Sequence, residues 1–136
     1  MKKLILNLQL IAVAICFSNI ALAGSVAANV TLKMNSVAKN ATSNSISTNF
    51  SLKNEGTTAI DLKDVVIRYY YTNEDKKAQS FWCDNAAITG SGQYSSITNK
   101  VNGSFALLAT PSTNADSYLE ISFKNNTGSL QLRCGA

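Results

Sequence analysis

The sequence contains no histidine, one proline and three cysteines among its 136 residues. Without histidine, the chain lacks the general base of Ser-His-Asp and Cys-His catalysis and the commonest ligand of zinc and copper. Charged residues make up only 15% of the chain, and the 8 acidic ones show no spacing that would set two carboxylates across a cleft. The single proline also excludes a proline-rich tether within the chain. The composition therefore predicts a single domain that is not an enzyme.

The basic residues are few and dispersed. The formal net charge is +4, and the N-terminal Lys2 and Lys3 contribute to it. Beyond them the lysines are scattered, and the one adjacent pair, Lys76 and Lys77, lies beside acidic residues in a predicted turn. Because a nucleic-acid-binding protein concentrates its basic groups on one face or tail, we predict no nucleic-acid partner.

Long hydrophobic runs are absent except near the N-terminus. There the apolar stretch Leu4–Phe17 follows two lysines and precedes the small-residue motif Ala21–Ala23. This arrangement is typical of a secretory signal, and the stretch is too short and too interrupted to span a membrane. We therefore predict a signal peptide over residues 1–23, a domain over residues 24–136, a secreted, extracellular bacterial location and no membrane partner.

The cysteines leave one question open. Cys16 would be removed with the signal, so Cys83 and Cys134 would remain. Export to an oxidising compartment makes a disulfide between them feasible. The alternative is that Cys83 is buried and Cys134 is unpaired.

Alternation of apolar and polar residues dominates the rest of the chain. In the segment from Val65 to Tyr71, for example, alternate residues would lie on opposite faces of a strand. Turn-forming segments such as Asn54–Gly56 and Gly90–Gly92 separate the alternating runs, and we interpret TGSGQY (Thr89–Tyr94) as a flexible loop that presents Tyr94. Short strands between such turns predict an all-β fold, an antiparallel β-sandwich.

Three segments carry a resemblance to a known family. They are TSNSISTNFSLKNEGTTAIDL (Thr42–Leu62), IRYYYTNEDKKAQSFWCDN (Ile67–Asn85) and STNADSYLEISF (Ser112–Phe123). In this order they resemble the family-three carbohydrate-binding modules, and the match extends from about Val30 to Leu130. The resemblance implies a secreted, non-catalytic β-sandwich of the jelly-roll type that binds crystalline cellulose and is attached to a cellulase or scaffold protein.

The family binds cellulose with a flat strip of polar and aromatic side chains. Asp84 matches the acidic position of that strip, and Tyr94 matches its loop tyrosine. Asn85 stands where many members have histidine, so an amide replaces a flat ring. The strip's arginine and tryptophan fall beyond Gly128, where this sequence diverges. Trp82 lies within the FWC motif, which we predict to be part of a strand, and we expect it to pack in the core or against a sheet.

The resemblance also implies a shallow groove on the opposite sheet. Arg68 and Tyr70 are two residues apart and so share one strand face, as do Tyr118 and Glu120. Such a set suits a peptide, a linker or a single glucan strand. The alternative is a cross-strand surface ion pair with aromatic cover, worth about 0.5 kcal/mol to the fold.

The family holds a structural calcium ion, of which this sequence offers half a site. Thr72 and Glu74 match the first ligands, although the family usually has aspartate at the second position, and Asp75 is a substitute. Because calcium takes roughly six to eight oxygens, we predict a weak or empty site.

The chain ends at Ala136, where family members continue. We therefore expect the sandwich to lack its final strands, and we expect cellulose binding to be weakened. The alternative function is a protein- or linker-binding module that uses the groove of Arg68, Tyr70, Tyr118 and Glu120.

Overall fold

A computed structural model describes residues 29–37, 43–90 and 92–131. The predicted signal peptide and Cys134 lie outside these residues, so the domain boundary after residue 23 and the disulfide stay predictions. The described ranges form nine strands: β1 (Val30–Ser36), β2 (Thr48–Asn54), β3 (Ile60–Asp61), β4 (Val66–Tyr71), β5 (Ala87–Gly90), β6 (Gln93–Ser96), β7 (Val101–Ser112), β8 (Ala115–Phe123) and β9 (Ser129–Leu130). Single 3₁₀ turns cover Leu62–Asp64 and Thr98–Lys100. No helix of the described part is long and apolar enough to cross a membrane.

The strands pair in antiparallel fashion throughout the described residues. The largest sheet has the order β4-β8-β7, and three two-stranded sheets pair β1 with β2, β3 with β9, and β5 with β6. Strand β8 alternates strictly, since Ala115, Ser117, Leu119 and Ile121 are buried while the residues between them are half-buried. This period of two confirms the predicted antiparallel sheet structure, and it separates a core face from an outer face.

The main core lies between the three-stranded sheet and the β1-β2 hairpin. Ile67 of β4 and Leu119 and Ile121 of β8 are its buried centre. Leu32 of β1 and Phe50 of β2 pack against them from the facing sheet. Because each sheet buries one apolar face on the other, the arrangement is the predicted β-sandwich.

A second apolar cluster lies at one end of the sandwich. Leu62, Val65 and Ile97 are its buried members, and Ile88 of β5 and Leu130 of β9 pack against them.

The buried side chain of Asn54, beside this second cluster, makes three hydrogen bonds. Its Nδ2 donates to the carbonyls of Thr58 (2.8 Å) and Leu130 (3.1 Å), and its Oδ1 accepts from the Gly56 amide (2.9 Å). Asn54 thus joins the turn after β2 to β9.

Two local predictions were wrong. The loop predicted to present Tyr94 is instead the end of the β5-β6 hairpin, because Thr89 is paired to Tyr94 and Gly90 to Gln93. Gly92 has φ of 76°, a conformation that glycine adopts without strain, and this permits the tight connection. The FWC motif, Phe81–Cys83, is not part of a strand but lies in the connection between β4 and β5.

Candidate functional site

Tyr94 and Asn85 form one unit on the surface. Tyr94 lies on β6, and 63% of its surface is exposed. Its hydroxyl donates a hydrogen bond of 2.9 Å to Oδ1 of Asn85. That bond restrains the ring, so an aromatic face and an amide are presented to solvent together.

The backbone beside Asn85 is held to the start of the second 3₁₀ turn. The Ala86 amide donates to the Thr98 hydroxyl at 2.9 Å, and the Ala86 carbonyl accepts from the Ile97 amide at 2.8 Å. Asp84 and Asn85 are both exposed immediately before this anchor. The structure therefore presents a carboxylate, an amide and a ring on neighbouring elements, which can accept and donate hydrogen bonds around an apolar ring face.

Cys83 precedes this set and is only half-buried, less than the buried cysteine considered from the sequence. Burial raises the pKa of its thiol, and the negative charge of Asp84 raises it further. Because a thiol with a raised pKa stays protonated at neutral pH, Cys83 is a poor nucleophile.

The prediction that Trp82 packs in the core or against a sheet was wrong, because 83% of its surface is exposed. The preceding Phe81 occupies the core position and packs on Gly103 of β7, where a Cβ atom would overlap its ring. Phe81 thus fills the space left by the missing side chain of Gly103, and the next side chain projects outward. A strand glycine that leaves room for an aromatic ring could have predicted the exposure of Trp82. The two residues concerned, Phe81 and Gly103, are however 22 positions apart in the sequence.

The four groove residues lie together on the outer face of β4 and β8. Arg68 is paired in register with Glu120, and Tyr70 with Tyr118. Arg68 Nε donates to Glu120 Oε2 at 2.8 Å, and the guanidinium carbon lies 5.0 Å from the centre of the Tyr118 ring. The two tyrosine rings are 5.8 Å apart. The hydrogen bond to Glu120 raises the pKa of Arg68, so the guanidinium keeps its positive charge.

The turn after β4 contains the predicted calcium half site. Thr72 and Glu74 are exposed there, and Asp75 is paired with Lys77 at 2.7 Å. The nearby Asp116 accepts a hydrogen bond of 2.9 Å from the Asn73 amide, and this bond lowers the pKa of the carboxyl group. Within the described ranges, no three acidic, cysteine or histidine side chains form a group that could hold a metal ion. The calcium half site stays a prediction.

Comparison with known proteins identifies the family. The sequence profile described as "Cellulose binding domain" matches residues 31–134. The chain belongs to the family-three carbohydrate-binding modules. Since this is a family of non-catalytic modules, the prediction that the domain is not an enzyme is confirmed.

Relatives of this carbohydrate-binding module include scaffold proteins. Cellulosomal-scaffolding protein B of Acetivibrio thermocellus is 51% identical over 87 residues, which cover 63% of this chain and 11% of that protein. A solved family-3a domain from the cellulosome scaffoldin of Clostridium thermocellum is 42% identical, with a TM-score of 0.73, and the match covers 81% of this chain and 64% of that one. A family-IIIa domain from Clostridium cellulolyticum has 38% identity and a TM-score of 0.72, covering 81% of this chain and 68% of that one. The module thus spans about a tenth of the scaffold protein and about two thirds of the solved domains.

Proposed function

We propose that this carbohydrate-binding module is secreted and attaches to crystalline cellulose through Asp84, Asn85 and Tyr94. The observation that carries the proposal is the exposed Tyr94 ring tied to Asn85 by a hydrogen bond of 2.9 Å. Attachment to a scaffold or cellulase is part of the proposal, because one relative's name describes a cellulosomal scaffold.

The chemistry of cellulose favours this set of side chains. Each glucose ring has an apolar face of C–H groups surrounded by equatorial hydroxyls. An aromatic ring covers the face, while a carboxylate and an amide bond the hydroxyls. Burying one aromatic ring contributes about 1–2 kcal/mol, and each 1.4 kcal/mol is about tenfold in affinity. Because Asn85 offers hydrogen bonds but no ring, we expect the attachment to be weak.

A pull-down on microcrystalline cellulose tests the proposal. We expect the wild-type protein to be retained and Tyr94→Ala to lose about tenfold in affinity. Leu107→Ala is the matched control, because Leu107 is also a large exposed apolar residue, at 70%, but lies on β7. Equal losses in the two variants would show that retention is unspecific and would contradict the proposal.

A second candidate function uses the outer face of β4 and β8. The Arg68–Glu120 ion pair lies beside the paired rings of Tyr70 and Tyr118, so charge and flat rings are presented side by side. The side chains of Arg68 and Glu120 are 35% and 29% exposed. This combination suits a peptide or linker segment, which offers both backbone groups and apolar side chains. If Arg68→Ala alone loses cellulose retention while Tyr94→Ala keeps it, the groove rather than the strip is the binding surface.

A further inference from the structure

An open cavity lies beside the proposed cellulose strip. Its volume is about 640 Å³, and Trp82 lines it together with Phe81 and Val101. Ser96, Thr98 and Asn99 contribute polar groups to the same lining. The volume falls in the range of about 300–1,000 Å³ in which proteins bind small ligands.

The apolar part of the cavity is held in place by the core. Phe81 and Val101 both pack against the main core cluster, and Phe81 is fixed on the backbone of β7 at Gly103. Trp82 follows directly after this anchor, so its position relative to the cavity is restrained although its ring is exposed. An exposed ring on a fixed base is a suitable platform for stacking against a sugar face.

The polar part of the cavity has groups left for a ligand. The Thr98 hydroxyl is engaged by Ala86, and the Asn99 carbonyl accepts from Lys124 Nζ at 2.9 Å. The Asn99 side-chain amide, by contrast, has no hydrogen-bond partner within the described residues, and the Ser96 hydroxyl has only a long contact of 3.4 Å to Thr98. The cavity lining therefore combines the hydrogen-bonding groups of Ser96 and Asn99 with the aromatic ring of Trp82.

We propose that Trp82, Ser96 and Asn99 form a second carbohydrate subsite, which takes a single free β-glucan chain. The single platform ring argues for this ligand, because Trp82 can cover one glucose face while Ser96 and Asn99 bond the hydroxyls of the same chain, whereas a crystal face presents many chains side by side. The inference deepens the proposed function and rests on it for the class of sugar. It differs from that function in the residues used and in the physical form of the glucan.

Fluorescence gives a direct test, because Trp82 is the only tryptophan in the chain. Titration of the full chain with soluble cellohexaose should give a saturable blue shift of the Trp82 emission. Asn99→Ala keeps the fluorophore and should weaken the apparent affinity about fivefold, the usual effect of losing one hydrogen bond. Asn49→Ala is the matched control, since Asn49 is exposed on β2, and it should leave the titration unchanged.

Two further measurements separate this subsite from the crystalline-cellulose strip. Tyr94→Ala should lose the pull-down yet keep the Trp82 titration. Trp82→Ala, which removes an exposed side chain and so should fold, should lose binding heat with cellohexaose but keep the pull-down. If wild type fails the pull-down while the titration persists, only the proposed function fails.

The subsite would be overturned by a folded protein whose Trp82 emission stays that of an exposed indole at saturating cellohexaose. An emission that is already blue-shifted without sugar, and more so at higher protein concentration, would also overturn it. That result would mean that a second copy of the chain covers Trp82.

Discussion

Replacing Gly103 with alanine tests how the binding region is held. A Cβ atom at this position would lie less than 3 Å from three carbon atoms of the Phe81 ring, too close for any real contact. The ring must therefore move, and it carries the segment that includes Trp82 and Asp84. Overpacking of this kind costs about 1–3 kcal/mol, whereas alanine in a strand is otherwise favoured over glycine by about 0.5–1 kcal/mol. We expect Gly103→Ala to lower the free energy of unfolding by about 1–2 kcal/mol.

The sign of the effect should reverse when the ring is removed. In a Phe81→Ala background, the added methyl group meets no ring, so only the strand preference of alanine remains. There Gly103→Ala should raise the free energy of unfolding by up to about 1 kcal/mol. Phe81→Ala itself should be destabilising, because the half-buried ring packs on the main core.

Urea unfolding followed by circular dichroism measures all four proteins of this cycle. Gly90→Ala is the control: an added Cβ meets nothing within 4 Å there, so the free energy of unfolding should not fall and should rise by up to about 1 kcal/mol. If Gly103→Ala lowers the free energy of unfolding equally with and without the Phe81 ring, the contact between the added methyl group and that ring is not the cause.

Three further predictions concern stability, pH and calcium. Asn54→Ala should cost about 1–3 kcal/mol in urea unfolding, because it removes three hydrogen bonds at a site only 3% exposed; Asn49→Ala is its control, and equal costs would contradict the reasoning. Since the Asn73 amide lowers the pKa of Asp116, this carboxylate should stabilise the fold above about pH 4 and lose that effect as the pH falls through its lowered pKa. Asp116→Asn should therefore flatten the decline of the unfolding free energy in acid, and an unchanged decline would contradict this. Calcium should leave the Tm unchanged relative to a chelator, because Asp75 in the turn is already paired with Lys77, and a rise of several degrees would count against this.

The sandwich and its groove follow from local sequence. The alternation along β4 and β8 predicts which residues share a face, so the sequence alone identifies Arg68 with Tyr70 and Tyr118 with Glu120. Placing the two pairs opposite each other needs only the antiparallel register, and the structure shows that register. Local periodicity is sufficient here because each strand faces the core on one side only.

The surroundings of the proposed strip do not follow from local sequence. The exposure of Trp82 depends on Gly103, a residue distant in the chain whose missing side chain lets Phe81 take the core position. The segment that presents Tyr94 is too short for its alternation to be recognised, although Gly92 marks its turn. For Trp82, a contact between residues distant in the sequence decides the conformation.

An adsorption isotherm on microcrystalline cellulose shows whether this module binds cellulose through Tyr94. The protein should first show a sharp thermal unfolding transition, so that any loss of binding is not a loss of fold. We expect saturable adsorption of the wild-type protein and about tenfold weaker adsorption of Tyr94→Ala. A folded wild-type protein that does not adsorb, or a Tyr94→Ala isotherm that superposes on the wild-type one, would contradict it.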